Sequence, residues 1–173
     1  MSEWEPCLGA TYEWFTPPEI FAGLDCRFEL DPCQPAHGRA FLSVPCDHFF
    51  TPYDDGLSMD WDGAFVWVNP PFGGRNGVVP WLERFFQNGN GIALVPARTS
   101  AGWFHDFAPL ADAMLFPRGK TKFVRNDGTV GKSPGTGIVL LAAGDRAASV
   151  LARSPLGLCV TNIHPITTHP RTP

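Results

Sequence analysis

Phe65-Val66-Trp67-Val68-Asn69-Pro70-Pro71-Phe72 is the stretch that decides how this chain folds. It opens as a run of β-branched and aromatic residues, the composition of a buried strand. The run breaks at an amide, two prolines and an aromatic ring. Proline has no N–H to give to a sheet ladder, and it disfavours helical backbone in the residue before it. The strand is therefore expected to stop at Asn69, with the amide and nearby carbonyls held at its C-terminal edge. In open α/β sheets ligands bind at that edge. The Asn69 side-chain oxygen and the Pro70 carbonyl make a rigid pair of acceptors suited to an exocyclic amino group. Phe72 is placed to stack on the ring that carries it.

Upstream, Arg27-Phe28-Glu29-Leu30-Asp31-Pro32 alternates with period two and reads as a second strand with an acid at its end. A carboxylate there can accept hydrogen bonds from both hydroxyls of a ribose. Before it, Thr16-Pro17-Pro18-Glu19 has the form of a capping box, with Thr16 as N-cap, Pro17 at the first helical position and Glu19 at the third. The apolar face of that helix is Ile20, Phe21 and Leu24, and its N-terminal N–H groups can hold a carboxylate. Residues 32–53 read as loop-rich. Their Cys33, His37, Cys46 and His48 lack the spacing of zinc fingers or ribbons, and no metal is expected. Asp54-Asp55-Gly56-Leu57 then leads through Trp61 into the central strand.

Downstream, Gly73-Gly74-Arg75-Asn76-Gly77 is a loop from which Arg75 can reach a phosphate or nucleotide. Val79, Trp81, Leu82, Phe85 and Phe86 mark an amphipathic helix closed by Asn88-Gly89. Gly91–Pro96 reads as a further buried strand, with Arg98 just past its end, and a short helix follows around Trp103, Phe104 and Phe107. This strand–helix rhythm predicts an α/β fold with a mostly parallel sheet. A short strand over 112–116 precedes a basic segment, Arg118, Lys120, Lys122 and Arg125, that turns at Asn126-Asp127-Gly128. Residues 118–137 hold five bases against Asp127 alone, a plausible clamp for a phosphate backbone. Ile138–Leu141 is expected to pair with that hairpin, a short helix to span about 146–152, and residues 154–173 to form a loosely packed tail.

With 173 residues, 44% of them apolar, the chain can bury one sizeable core. No apolar run is long enough to cross a membrane, and the acidic start lacks the layout of a secretion signal. Five cysteines without a dense framework suit a reduced, cytoplasmic protein. The net charge of −4 hides an asymmetry: residues 1–62 hold 12 acids and two arginines, residues 63–173 hold 5 acids and 11 bases. One half can thus face a polyanion although the whole is acidic.

Asn69-Pro70-Pro71-Phe72 resembles the (Asp/Asn)-Pro-Pro-(Tyr/Phe) motif of amino-methyltransferases acting on adenine N6. The chain from about Trp14 to about Gly144 resembles the phage-type DNA N-6-adenine methyltransferase (Dam) family. The approach through Asp54-Asp55-Gly56-Leu57 and Trp61, and the run Pro96-Ala97-Arg98-Thr99 before Trp103-Phe104, are similar to that family as well. The resemblance implies a Rossmann-like methyltransferase domain over 1–144, with a helix and Pro-rich tail over 145–173. It implies S-adenosylmethionine as methyl donor, held by Thr16, Pro17, Asp31, Asp55 and Asn69, with Asp54 as the alternate to Asp55. Asn69, Pro70, Pro71 and Phe72 would form the catalytic set. DNA would be the partner, contacted through Arg75, Arg98, Arg118, Lys120, Lys122 and Arg125. No Gly-rich loop precedes Asp31, which leaves open whether Asp31 ends the first or the second strand of the usual sheet. Asn-Pro-Pro-aromatic also serves methylation of RNA bases and protein glutamine, and an inactive DNA-binding relative is the remaining alternative.

Overall fold

A computed structural model describes residues 14–37, 42–72, 77–125, 127–131 and 135–163. Its centre is the strand expected from the opening stretch, β4 (Val66–Val68), which ends one residue before Asn69. On one side of it lie β2 (Phe28–Asp31) and then β3 (Cys46–Phe49), on the other β5 (Gly91–Pro96), all parallel. Beyond β5 the sheet changes character. There β8 (Ile138–Ala143) runs antiparallel to β5, β6 (Ala113–Pro117) antiparallel to β8, and β9 (Gly157–Thr161) antiparallel to β6. The order is β3-β2-β4-β5-β8-β6-β9. The sheet is thus mixed, parallel on one side of β5 and antiparallel on the other, rather than mostly parallel throughout.

Alternation along β4 explains the two layers of core. Phe65 and Trp67 face α1 (Pro18–Leu24) and α4 (Asp145–Arg153), with Phe28, Ile92, Leu94 and Leu140. Val66 and Val68 face α2 (Val79–Asn88) and α3 (Gly102–Phe107), with Ala93, Val95, Val139 and Leu141. Trp67 packs edge-on against Phe21, with ring centres 4.8 Å apart, which ties α1 to the sheet beneath it. At Gly91 the backbone takes φ 153°, and a Cβ there would sit 2.4 Å from the Val66 carbonyl oxygen. Only glycine lets β5 approach β4 so closely at that point.

Four local expectations are corrected. Thr16 does not cap α1: the N-cap is Pro17, extended at φ −68° and ψ 148°, and Pro18 is the first helical residue. The 32–53 segment contains an edge strand, β3, missed because Asp47 and His48 face solvent and break any apolar pattern. Ile138–Ala143 pairs with β5 and β6 rather than with the basic hairpin; that hairpin's strand β7 (Val124–Arg125) pairs instead with β1 (Trp14–Phe15). Part of the expected loose tail, Gly157–Thr161, is the outermost strand of the sheet.

Candidate active site

From β2 the chain moves outward to β3, and from β4 it moves outward in the opposite direction to β5. The seam between β2 and β4 is therefore a topological switch point, where α/β sheets open a crevice beyond their strand ends. Asp31 is the last residue of β2 and Asn69 follows the last residue of β4, so the register Leu30–Val66 brings both to the mouth of this crevice. A cleft lies there, walled by Trp14, Phe15, Thr16, Asp31, Cys33, Ser43, Trp67 and Asn69 among others.

Asn69 Nδ2 donates to Thr16 Oγ1 at 3.1 Å. Thr16 is buried, and its own carbonyl accepts the Ser43 hydroxyl at 2.6 Å. The Thr16 hydroxyl therefore orients the Asn69 amide rather than a helix end. With Nδ2 held, Oδ1 is the end of the amide left to accept a hydrogen bond. Pro70 is buried; Pro71 and Phe72 are exposed, Phe72 by 40%, so its ring can meet an incoming planar group.

Asp31 is 3% exposed, and its Oδ1 accepts the Cys33 N–H at 3.2 Å. Burial raises its carboxyl to about 7, opposed by hydrogen bonds from the Cys33 N–H and the Gln34 amide. Cys33 takes a hydrogen bond from the backbone of Asn69, and burial, then the neighbouring Asp31 carboxylate, push its thiol well above the usual range. The Trp67 indole N–H and the Gln34 Oε1 are buried without a hydrogen-bond partner among the described residues. Such groups are rare in folded proteins. Trp67, Cys33, Ser43 and Trp14 were not anticipated from the sequence. The orphaned N–H of Trp67 has no local sequence signal, because it depends on what packs around the ring.

The acids of the preceding loop sit beside this site rather than in its wall. A Cβ at Gly56 would lie 1.8 Å from the Pro32 carbonyl oxygen, so the Asp54-Asp55-Gly56 turn rests directly on the turn that follows Asp31. Asp55 is exposed at φ 52°, and its carboxylate accepts the Ser58 hydroxyl at 2.5 Å. The Asp54 carboxylate accepts the Thr51 N–H and hydroxyl, both at 2.8 Å, and these bonds lower its pKa. Pro17 is buried between Thr16 and α1.

The predicted cations divide into two groups. Arg98 follows β5 and Arg118 follows β6, two strands that end at the same edge of the sheet as β4; both are exposed, as are Lys120 and Lys122. Arg125 is half-buried. Its guanidinium lies 5.4 Å from the centre of the Trp14 ring and donates from Nη1 to Thr129 Oγ1 at 3.2 Å. The β1–β7 pairing sets Trp14 opposite Arg125, two residues before Thr16, so the basic hairpin is docked on the cleft wall. Arg75 lies outside the described residues.

The profile of the family described as DNA N-6-adenine-methyltransferase (Dam) matches residues 10–143. A curated DNA N-6-adenine-methyltransferase of Haemophilus phage HP1 is 27% identical over 100 residues, which cover 53% of this chain and 53% of that protein. The chain thus aligns with about half the length of this relative. No solved structure matches it.

Proposed function

Since the chain belongs to the DNA N-6-adenine-methyltransferase (Dam) family, we propose that it methylates the exocyclic N6 amine of adenine in DNA, with S-adenosylmethionine as donor, on a Rossmann-like methyltransferase fold. The observation that carries this reading is the meeting of Thr16, Asp31 and Asn69 at one cleft on the β2–β4 seam. The groups in that cleft suit the donor: a buried carboxylate for ribose hydroxyls and a wall of aromatic rings. S-adenosylmethionine supplies an electrophilic methyl group on a sulfonium.

The residues of the chain supply the rest. Adenine in a duplex is out of reach, so the base must be turned out of the stack. Phe72 then offers a stacking surface, an interaction worth ~1–3 kcal/mol per base. Asn69 Oδ1 and the Pro70 carbonyl accept the two amine hydrogens, drawing the nitrogen from its planar form and freeing its lone pair. With the donor bound, that nitrogen would bond to the methyl as the carbon–sulfur bond breaks, and would then release one proton. An amide cannot take the proton, so water does. The acceleration comes from alignment and fixed dipoles. Arg98, Arg118, Lys120 and Lys122, with Arg75, contact phosphates and contribute affinity rather than base reading.

Mass analysis of nucleosides from DNA incubated with the protein and S-adenosylmethionine tests this reading. N6-methyladenine is expected. Its absence from double- and single-stranded DNA, together with methylation of RNA or of glutamine in protein, would replace the substrate assignment.

A further inference from the structure

The two edges of the sheet are guarded very differently. On the β3 edge, Asp47 and His48 are exposed and Asp47 pairs with Arg27. Charges on an edge strand discourage other strands from adding to it. The β9 edge, Gly157-Leu158-Cys159-Val160-Thr161, carries no charge and no proline, and no described strand pairs beyond it. Leu158 is 67% exposed and Val160 37%. They lie across from Phe116 and Met114, on the face that α2 and α3 cover only nearer the middle of the sheet.

The hydrogen-bond phase of β9 says which of its groups are free. The Arg118 N–H donates to the Leu156 carbonyl at 2.8 Å, and Pro117 lies opposite Gly157. In an antiparallel ladder such bonded pairs recur at every second residue. Leu158 and Val160 therefore direct their N–H and C=O groups at β6, while Gly157, Cys159 and Thr161 direct theirs outward. An antiparallel partner centred on Cys159 would place Gly157 opposite Thr161 and Cys159 opposite itself, all as bonded pairs. Leu158 would meet Val160 in the closer, non-bonded pairs, on one face. Such a contact is self-complementary about a two-fold axis, which is what a closed pair of identical chains requires, and no like charges oppose one another.

We propose that β9 is a homodimerisation edge, joining two copies of this chain through an antiparallel β9–β9 pair centred on Cys159. The axis stands perpendicular to the sheet, so the two copies run in opposite directions and their clefts open at opposite edges of the joined sheet. The pairing is independent of the chemistry proposed above. A pairing of this length falls among small interfaces, and association is expected to depend on concentration.

Sedimentation velocity of the full chain across a concentration series, with cross-linking by a short bis-maleimide and peptide mapping, tests the assignment. The expected results are a mass that doubles with concentration and a Cys159–Cys159 link. Leu158→Lys should weaken association at least about tenfold, or about 1.4 kcal/mol, because each substitution acts twice across the axis. Cys159→Ser should remove the link and keep the dimer. Melting of Leu158→Lys close to that of the parent shows that the fold survives. A monomer at all concentrations would overturn the proposal, as would a dimer indifferent to Leu158→Lys or linked through other cysteines.

Discussion

The two halves of the sheet solve different problems. Beyond β5, the antiparallel half is close to an ideal scaffold: every residue of β8 is buried and apolar, and its register with β5 runs unbroken from Gly91–Ala143 to Pro96–Ile138. The parallel half holds the buried Asp31 carboxyl, the Trp67 indole N–H and the Gln34 amide oxygen, the last two without a hydrogen-bond partner among the described residues, and an aspartate held at positive φ on the adjoining turn. Burying such groups lowers stability. Their concentration at one seam lowers stability there, as the proposed binding surface would require, and the long apolar strands next door offset it.

The largest effects should separate these halves by sign. Asp31 has a folded-state pKa of about 7 against 3.8 when unfolded. An acid with a raised pKa contributes its full stability only below the unfolded value and loses it as pH rises through the folded one. Unliganded protein should therefore become less stable between about pH 4 and 7. At pH 8 Asp31→Asn should stabilise it by up to about 4 kcal/mol, measured by chemical denaturation across pH. The same substitution should abolish S-adenosylmethionine binding in calorimetry. Binding by the parent should release protons near pH 7, because a carboxylate accepting hydroxyls is favoured charged. A flat pH profile for the parent would remove the claim that Asp31 is strained by burial.

Asn69→Ala comes next. It removes the oriented acceptor of the motif and should lower methylation by ~10²–10³-fold, the range for losing one preorganised transition-state contact. Cofactor affinity should fall far less than methylation, because Asp31 and the aromatic wall remain. Methylation at the parent's rate would refute the role given to the amide. In the scaffold half, Leu140→Ala removes a fully buried side chain and should cost ~2–5 kcal/mol, with the affinity per folded molecule kept. A cofactor affinity that fell in step with stability would erase the division between the halves.

The parallel half was the more legible from sequence where a residue's neighbours in the chain dictate its state. The end of β4 follows from two prolines, and the end of α2 from Gly89, which adopts φ 68°. Thr16 was misread because Thr-Pro-Pro-Glu satisfies a local capping rule, whereas its hydroxyl is claimed by Asn69, 53 residues away. Asp31 is legible in the sequence as the acid that ends β2, but its position beside the motif strand needs the pairing of β2 with β4. That neighbour is what makes the seam a switch point. β3 and β9 were missed for a shared reason: edge strands need bury only part of their surface, so neither composition nor period betrays them. The β1–β7 pair joins segments about 110 positions apart and leaves no trace in either.

The smallest effect tests the place where the halves meet. From sequence Arg125 is one more phosphate contact; in the structure its guanidinium lies over Trp14, whose ring walls the cleft. Lys122 is exposed, three residues before it, and has no such ring contact among the described residues. The two substitutions should then part company. Lys122→Ala should weaken DNA binding and reduce the slope of log affinity against log salt by about 1, with S-adenosylmethionine affinity unchanged. Arg125→Ala loses a cation–π contact of ~0.5–1 kcal/mol and should weaken S-adenosylmethionine two- to five-fold by that estimate, while the salt slope stays near that of the parent. If Arg125→Ala instead lowers the slope and spares the cofactor, the hairpin is a clamp throughout, and its docking on β1 has no part in shaping the cleft.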